Sequence, residues 1–121
     1  MKKLTLLIVD DSLVVGRRLR NLMNDSGNVS IVGHARTYGE AILILEMMKP
    51  EVVLLDISMP GRNGLELLLE IKLKYKGTKV IMLSNHSDVY YRNLCQEMGA
   101  EDFLDKSYEF EKIPDRLNAY A

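Results

Sequence analysis

Short, unbroken apolar runs alternate along this chain with longer stretches in which apolar residues recur every three or four positions. The runs Leu4–Val9, Val52–Leu55 and Lys79–Leu83 have the length and content of buried strands. Val29–Ala35 alternates as an edge strand does, with Gly33 as a candidate bulge, and Asp102–Asp105 makes a short last strand. Helical spacing fills the intervals. A first helix, capped by Ser12 or Asp11, reaches about Asp25 and buries Val15, Leu19, Leu22 and Met23, with Gly16 weakening it slightly. A second, Tyr38–Met48, turns Ala41, Ile42, Leu45 and Met48 inward and stops at Lys49-Pro50. A third runs from Leu65 to about Tyr75 on Leu65, Leu68, Leu69 and Ile71, after the turn Met59 to Gly64. A fourth starts near Ser87, shares a face among Tyr91, Leu94, Cys95 and Met98, and closes at Gly99-Ala100. The last runs from Glu109 to about Asn118 with Pro114 inside it, which loosens its first turn.

Strictly alternating strands and helices predict an α/β fold: a parallel sheet with right-handed crossovers, every strand's C-terminal end lying on one edge. That edge collects Asp10, Asp11, Asp56, Ser84 and Lys106. A strand covered on both faces cannot hide an unpaired carboxylate, so Asp56 emerges at the lip where such sheets bind ligands. Three carboxylates brought together raise one another's pKa values unless a cation joins them. Magnesium suits that site, accepting one or two carboxylates and keeping its other positions for water, a carbonyl or a phosphate oxygen. A carboxylate beside Mg²⁺ can act as nucleophile toward a phosphoryl group, Lys106 adding a point charge and Ser84 a hydroxyl. Each residue also has a plainer role: Asp56 as a loop cap, Asp10-Asp11 as a helix cap, Lys106 as a solvated charge, Ser84 as a loop residue. Four separate strand ends converging on one lip favour the chemical role.

Composition narrows the partners. At 121 residues, 47% of them hydrophobic, the chain suits one domain spanning 1–121. Sixteen basic and 17 acidic residues give a net charge of −1, with no basic stripe to hold nucleic acid directly. The apolar run after Met1-Lys2-Lys3 ends at Asp10, too short for a signal peptide or membrane span, so a cytoplasmic protein is expected. Cys95 stands alone, which excludes a disulfide within the chain and fits a small buried hydrophobe. His34 and His86 lack a partner at metal spacing, which leaves them surface or packing roles.

The ordered motifs Val9-Asp10-Asp11-Ser12, Leu55 to Gly64, Leu83-Ser84, Gly99-Ala100 and Phe103-Leu104-Asp105-Lys106 resemble the response-regulator receiver domains of two-component signalling. The resemblance covers essentially the whole chain. It implies a five-stranded flavodoxin-like sheet in order 2-1-3-4-5 with five helices on both faces. It implies that Asp56 is the phosphoacceptor, that Asp10, Asp11, Asp56 and the Ser58 backbone carbonyl hold Mg²⁺, that Lys106 pairs with phosphate and Ser84 is the switch hydroxyl. Phe103 would be the aromatic that turns with Ser84. The phosphoryl group would come from a sensor histidine kinase or phosphotransfer protein. Readout to a downstream protein would use the fourth helix, fifth strand and fifth helix. Such a protein is a phosphoacceptor that assists its own phosphorylation and dephosphorylation, and is not a turnover enzyme.

Four positions stand apart from the common pattern. Ser107 follows the lysine where many receivers carry proline and a cis bond, and a non-proline cis bond costs about 3 kcal/mol. Ser58 and His86 occupy places that vary in the family and tune phosphate loss; either His86 orders or excludes the attacking water, or it has no such role and lies in solvent. Phe103 replaces a frequent Tyr, which suggests a more buried aromatic. Three other functions compete. A receiver-like interaction module working without phosphorylation predicts a lost acid or lysine, and none is lost. A Mg²⁺ phosphohydrolase predicts an Asp two residues after the nucleophile, where Ser58 stands. Flavin or dinucleotide binding lacks its Gly-rich loop after the first strand.

Overall fold

A computed structural model describes residues 3–24, 27–59, 62–85 and 89–121. Five parallel strands, β1 (Leu4–Val9), β2 (Val29–Ala35), β3 (Val52–Asp56), β4 (Lys79–Ser84) and β5 (Asp102–Asp105), stand in the order β2-β1-β3-β4-β5. The helices are α1 (Leu13–Asn24), α2 (Tyr38–Met48), α3 (Gly64–Lys74), α4 (Val89–Glu97) and α5 (Ile113–Asn118). This is the expected flavodoxin-like architecture, with the strand order reversing between β1 and β3. Leu6 pairs with Ile31 and Leu7 with Gly33, so Val32 is the extra residue of a bulge beside the predicted glycine.

Apolar character on both faces sends each strand's side chains into two cores. Leu7, Val9, Val53, Leu55, Val80, Met82 and Phe103 pack under α2, α3 and α4, and Leu6, Ile8, Leu54, Ile81, Leu83 and Leu104 under α1 and α5. Side-chain caps start three helices: Ser12 Oγ accepts from Val15 N–H, Thr37 Oγ1 from Glu40 N–H, and Asn63 Oδ1 from Glu66 N–H. Pro114 sits in the first turn of α5, whose entry is a 3-10 turn over Phe110–Lys112. The predicted ends of α1 at Asp25 and α4 at Ser87, Pro60-Gly61 of the turn, and His86, lie outside the described residues.

Two helix faces differ from expectation. In α3 the inward residues are Gly64, Leu67, Leu68 and Ile71, and Leu69 is exposed. In α2, Ala41 and Leu45 are buried, whereas Met48 is exposed. There the left-handed Lys49 (φ 45°) ends the helix as its N–H returns to Leu45 O at 3.1 Å. Every described peptide bond is trans, Lys106-Ser107 included.

Cys95 is fully buried on α4, and burial pushes its thiol pKa up. A thiol reagent is expected to label it at least about a hundredfold more slowly in the native protein than in denaturant. Labelling at the unfolded rate would show that α4 opens locally. Among the described residues, no helix is long and apolar enough to cross a membrane.

Candidate functional site

The C-terminal ends of the strands bring the predicted residues to one lip. Asp10 follows β1, Asp56 ends β3, Ser84 ends β4 and Lys106 follows β5; Asp10, Asp56 and Ser84 are buried. Together with Asp11, Ser58, Asn85 and Ser107 they line an open cavity of about 540 Å³. One carboxylate oxygen each from Asp10, Asp11 and Asp56 lies within 4.8 Å of the others. The Lys106 ammonium bridges two of them, 2.6 Å from Asp10 Oδ2 and 3.2 Å from Asp56 Oδ2. Phe103, the remaining predicted site residue, is on β5 with its ring buried in the core.

Local hydrogen bonds hold the acids in place. Ser12 N–H donates to Asp10 Oδ1 at 2.9 Å, and Ser58 N–H to Asp56 Oδ1 at 3.2 Å. Asp56 therefore caps its loop as well as facing the cavity. Lys106 N–H donates to Ser84 O at 3.0 Å, tying the β5 exit to the β4 end. Burial raises the Asp56 pKa; Lys106 pulls it down, Asp10 pushes it up, and the net direction is upward. Burial also works against the Lys106 charge, but the Asp10 and Asp56 carboxylates more than offset it and leave that pKa above the lysine range. Three carboxylates against one ammonium leave an excess of negative charge. All the donors are hard oxygens, so the residues present fit a hard divalent ion such as Mg²⁺.

The packing role left open for His34 is the one the structure shows, beside the site. His34, on the edge strand β2, places Nε2 2.7 Å from Asp10 O. Its ring lies in the space a Cβ on Gly16 of α1 would occupy, so the helix-interior glycine is a packing seat. The glycine was the visible signal; its partner, 18 positions away, carried none. Gly16→Ala gains up to about 1 kcal/mol of helix propensity but displaces the ring and its bond to Asp10. A net loss of about 1–2 kcal/mol in urea unfolding is expected. A more stable variant would show that the ring steps aside without cost.

A doubly wound sheet with an acid cluster and a lysine at its switch point places charged groups where α/β folds of this class bind ligands. The comparisons narrow that class. The family model described as response regulator receiver domain matches residues 6–118. The chain is 34% identical over 118 residues to chemotaxis protein CheY of Listeria monocytogenes, covering 98% of each. It is 32% identical over 122 residues to a protein-glutamate methylesterase/protein-glutamine glutaminase of Clostridium acetobutylicum, of whose length it spans 35%. Among solved structures, the Borrelia burgdorferi CheX-CheY-BeF3-Mg+2 complex matches with a TM-score of 0.89 at 27% identity, covering 98% of this chain and 90% of that one. This chain belongs to the response regulator receiver domain family.

Proposed function

We propose that the chain works in two-component signalling by accepting a phosphoryl group on Asp56, with Mg²⁺ required. The observation that carries this reading is the Lys106 ammonium bridging Asp10 and Asp56 beside Asp11. An Asp56 carboxylate oxygen attacks phosphorus of a phosphohistidine on a sensor histidine kinase or phosphotransfer protein; the P–N bond breaks and imidazole leaves. Asp10, Asp11, Asp56 and the Ser58 carbonyl would hold Mg²⁺, which would supply positive charge for the transferring oxygens. Lys106 moves from carboxylate to phosphoryl oxygen, the Ser84 hydroxyl donates to another, and Phe103 adjusts beside it. The changed surface of α4, β5 and α5 then meets a downstream protein, in the cytoplasm, with no direct nucleic-acid contact. The protein is a switch and not a turnover enzyme.

Intact mass after incubation with a small phosphodonor and Mg²⁺ tests this. A gain of one phosphoryl group that EDTA prevents is expected. No gain would leave an interaction module that works without phosphorylation.

A further inference from the structure

The Lys106 loop is closed by a set of contacts that the phosphoryl chemistry does not require. Glu109 N–H returns to Asp105 O at 2.9 Å, and Asp105 Oδ1 accepts from Ser107 N–H at 2.7 Å and Tyr108 N–H at 2.9 Å. Glu109 Oε1 accepts from Asp105 N–H at 3.0 Å, one residue before Lys106. The same oxygen takes a 2.7 Å bond from the Arg92 guanidinium on α4. The other arm of that guanidinium donates to Phe103 O at 3.1 Å, and its central carbon lies over the Phe103 ring, 4.9 Å from the centre. One side chain thus touches the buried aromatic, its carbonyl, and the carboxylate that pins the lysine loop. A planar fork that also stacks makes such a contact set, and an ammonium cannot.

We infer that Arg92 is a positioning residue for the phosphoryl site: through Glu109 it fixes the loop that presents Lys106, and over Phe103 it ties that loop to α4. The inference rests on Lys106 being the phosphate partner. A clasp of this kind couples in both directions, so a pull on Lys106 from bound phosphate reaches α4, and a partner that grips α4 alters phosphate affinity.

The test is calorimetric titration of wild type, Arg92→Met, Glu109→Gln and the double variant, first with Mg²⁺ alone and then with beryllium fluoride in excess Mg²⁺. Arg92→Met keeps a stem over Phe103 and removes the fork and charge. Mg²⁺ affinity is expected to be unchanged or slightly tighter, because the three aspartates remain and Lys106 competes less. Beryllium fluoride, which needs Lys106, is expected to bind about tenfold more weakly. The double variant should be no weaker than the worse single one. Arg92→Lys, which keeps the charge, is the second variant should Met disturb folding, and is expected to fall between wild type and Met. A merely structural role would lower the urea midpoint and leave the beryllium fluoride affinity alone. Unchanged affinity in Arg92→Met, or additive losses in the double variant, overturns the clasp while leaving the phosphoacceptor reading in place. Wild type that takes up Mg²⁺ but no beryllium fluoride overturns both.

Discussion

Asp56→Asn is expected to abolish phosphoryl uptake while making the resting fold more stable at neutral pH. The amide keeps the shape of the carboxylate but is no nucleophile, so uptake should fall by at least about three orders of magnitude. The stability gain follows from linkage. Burial, the largest influence, and Asp10 hold the Asp56 pKa above its ordinary 3.8, against the pull of Lys106. Between 3.8 and that raised value the native state binds more protons than the unfolded chain, so this group's contribution to stability falls as pH rises through the window. Above the window the penalty is complete, and asparagine does not carry it. Lys106 is not stranded by the change, because Asp10 Oδ2 stays 2.6 Å away. Urea unfolding at pH 7 and again near pH 4 checks the sign: the variant's advantage should shrink as the solution is acidified. A variant less stable at pH 7 would mean that the ion pair with Lys106 outweighs the cost of burying the acid.

The strands were legible because both faces of a parallel sheet are covered. Val52 to Leu55 has no polar residue until Asp56, and crossover handedness then puts Asp10, Asp56, Ser84 and Lys106 on one lip. The helix faces were less legible where contrast is poor. In α3, Gly64-Leu65-Glu66-Leu67-Leu68-Leu69 offers leucine on nearly every side, so periodicity cannot choose Leu67 over Leu69; packing in one core with the side chains of β3 and β4 decides. In α2, Ala41 to Leu45 and Met47-Met48 are equally undiscriminating, and the Lys49 cap leaves Met48 in solvent. Contacts between elements had no pattern to find. The charges of Arg92 and Glu109 stand 17 positions apart, and His34 reaches Asp10 only after β2 has paired with β1. Asp105 is read from the chain as the end of a strand, yet its carboxylate is spent on the two N–H groups after Lys106.

Among the described glycines, Gly64 is where an added methyl is expected to do the most damage. Gly64 opens α3, and its N–H donates to Ile57 O at 2.7 Å, holding the start of α3 against the residue that follows β3. A Cβ there would overlap the Asp56 carbonyl oxygen and stand 2.9 Å from both the Asp56 carbonyl carbon and Ile57 Cα. All three neighbours are backbone, so no rotamer relieves the overlap; either the helix start or the end of β3 must shift. The expected cost is at least about 3 kcal/mol, or roughly 10 °C in Tm. Because the displaced atoms belong to Asp56, the protein that does fold should also take up phosphoryl groups more slowly than its remaining stability explains. Gly39→Ala is the control: it lies in α2 with nothing within 4 Å of its added methyl, and is expected to stabilise by up to about 1 kcal/mol. Urea midpoints and phosphoryl uptake measured on both variants separate the two glycines. A Gly64→Ala protein as stable and as reactive as wild type would mean that the loop between Asp56 and α3 has slack that the 2.7 Å bond to Ile57 does not suggest.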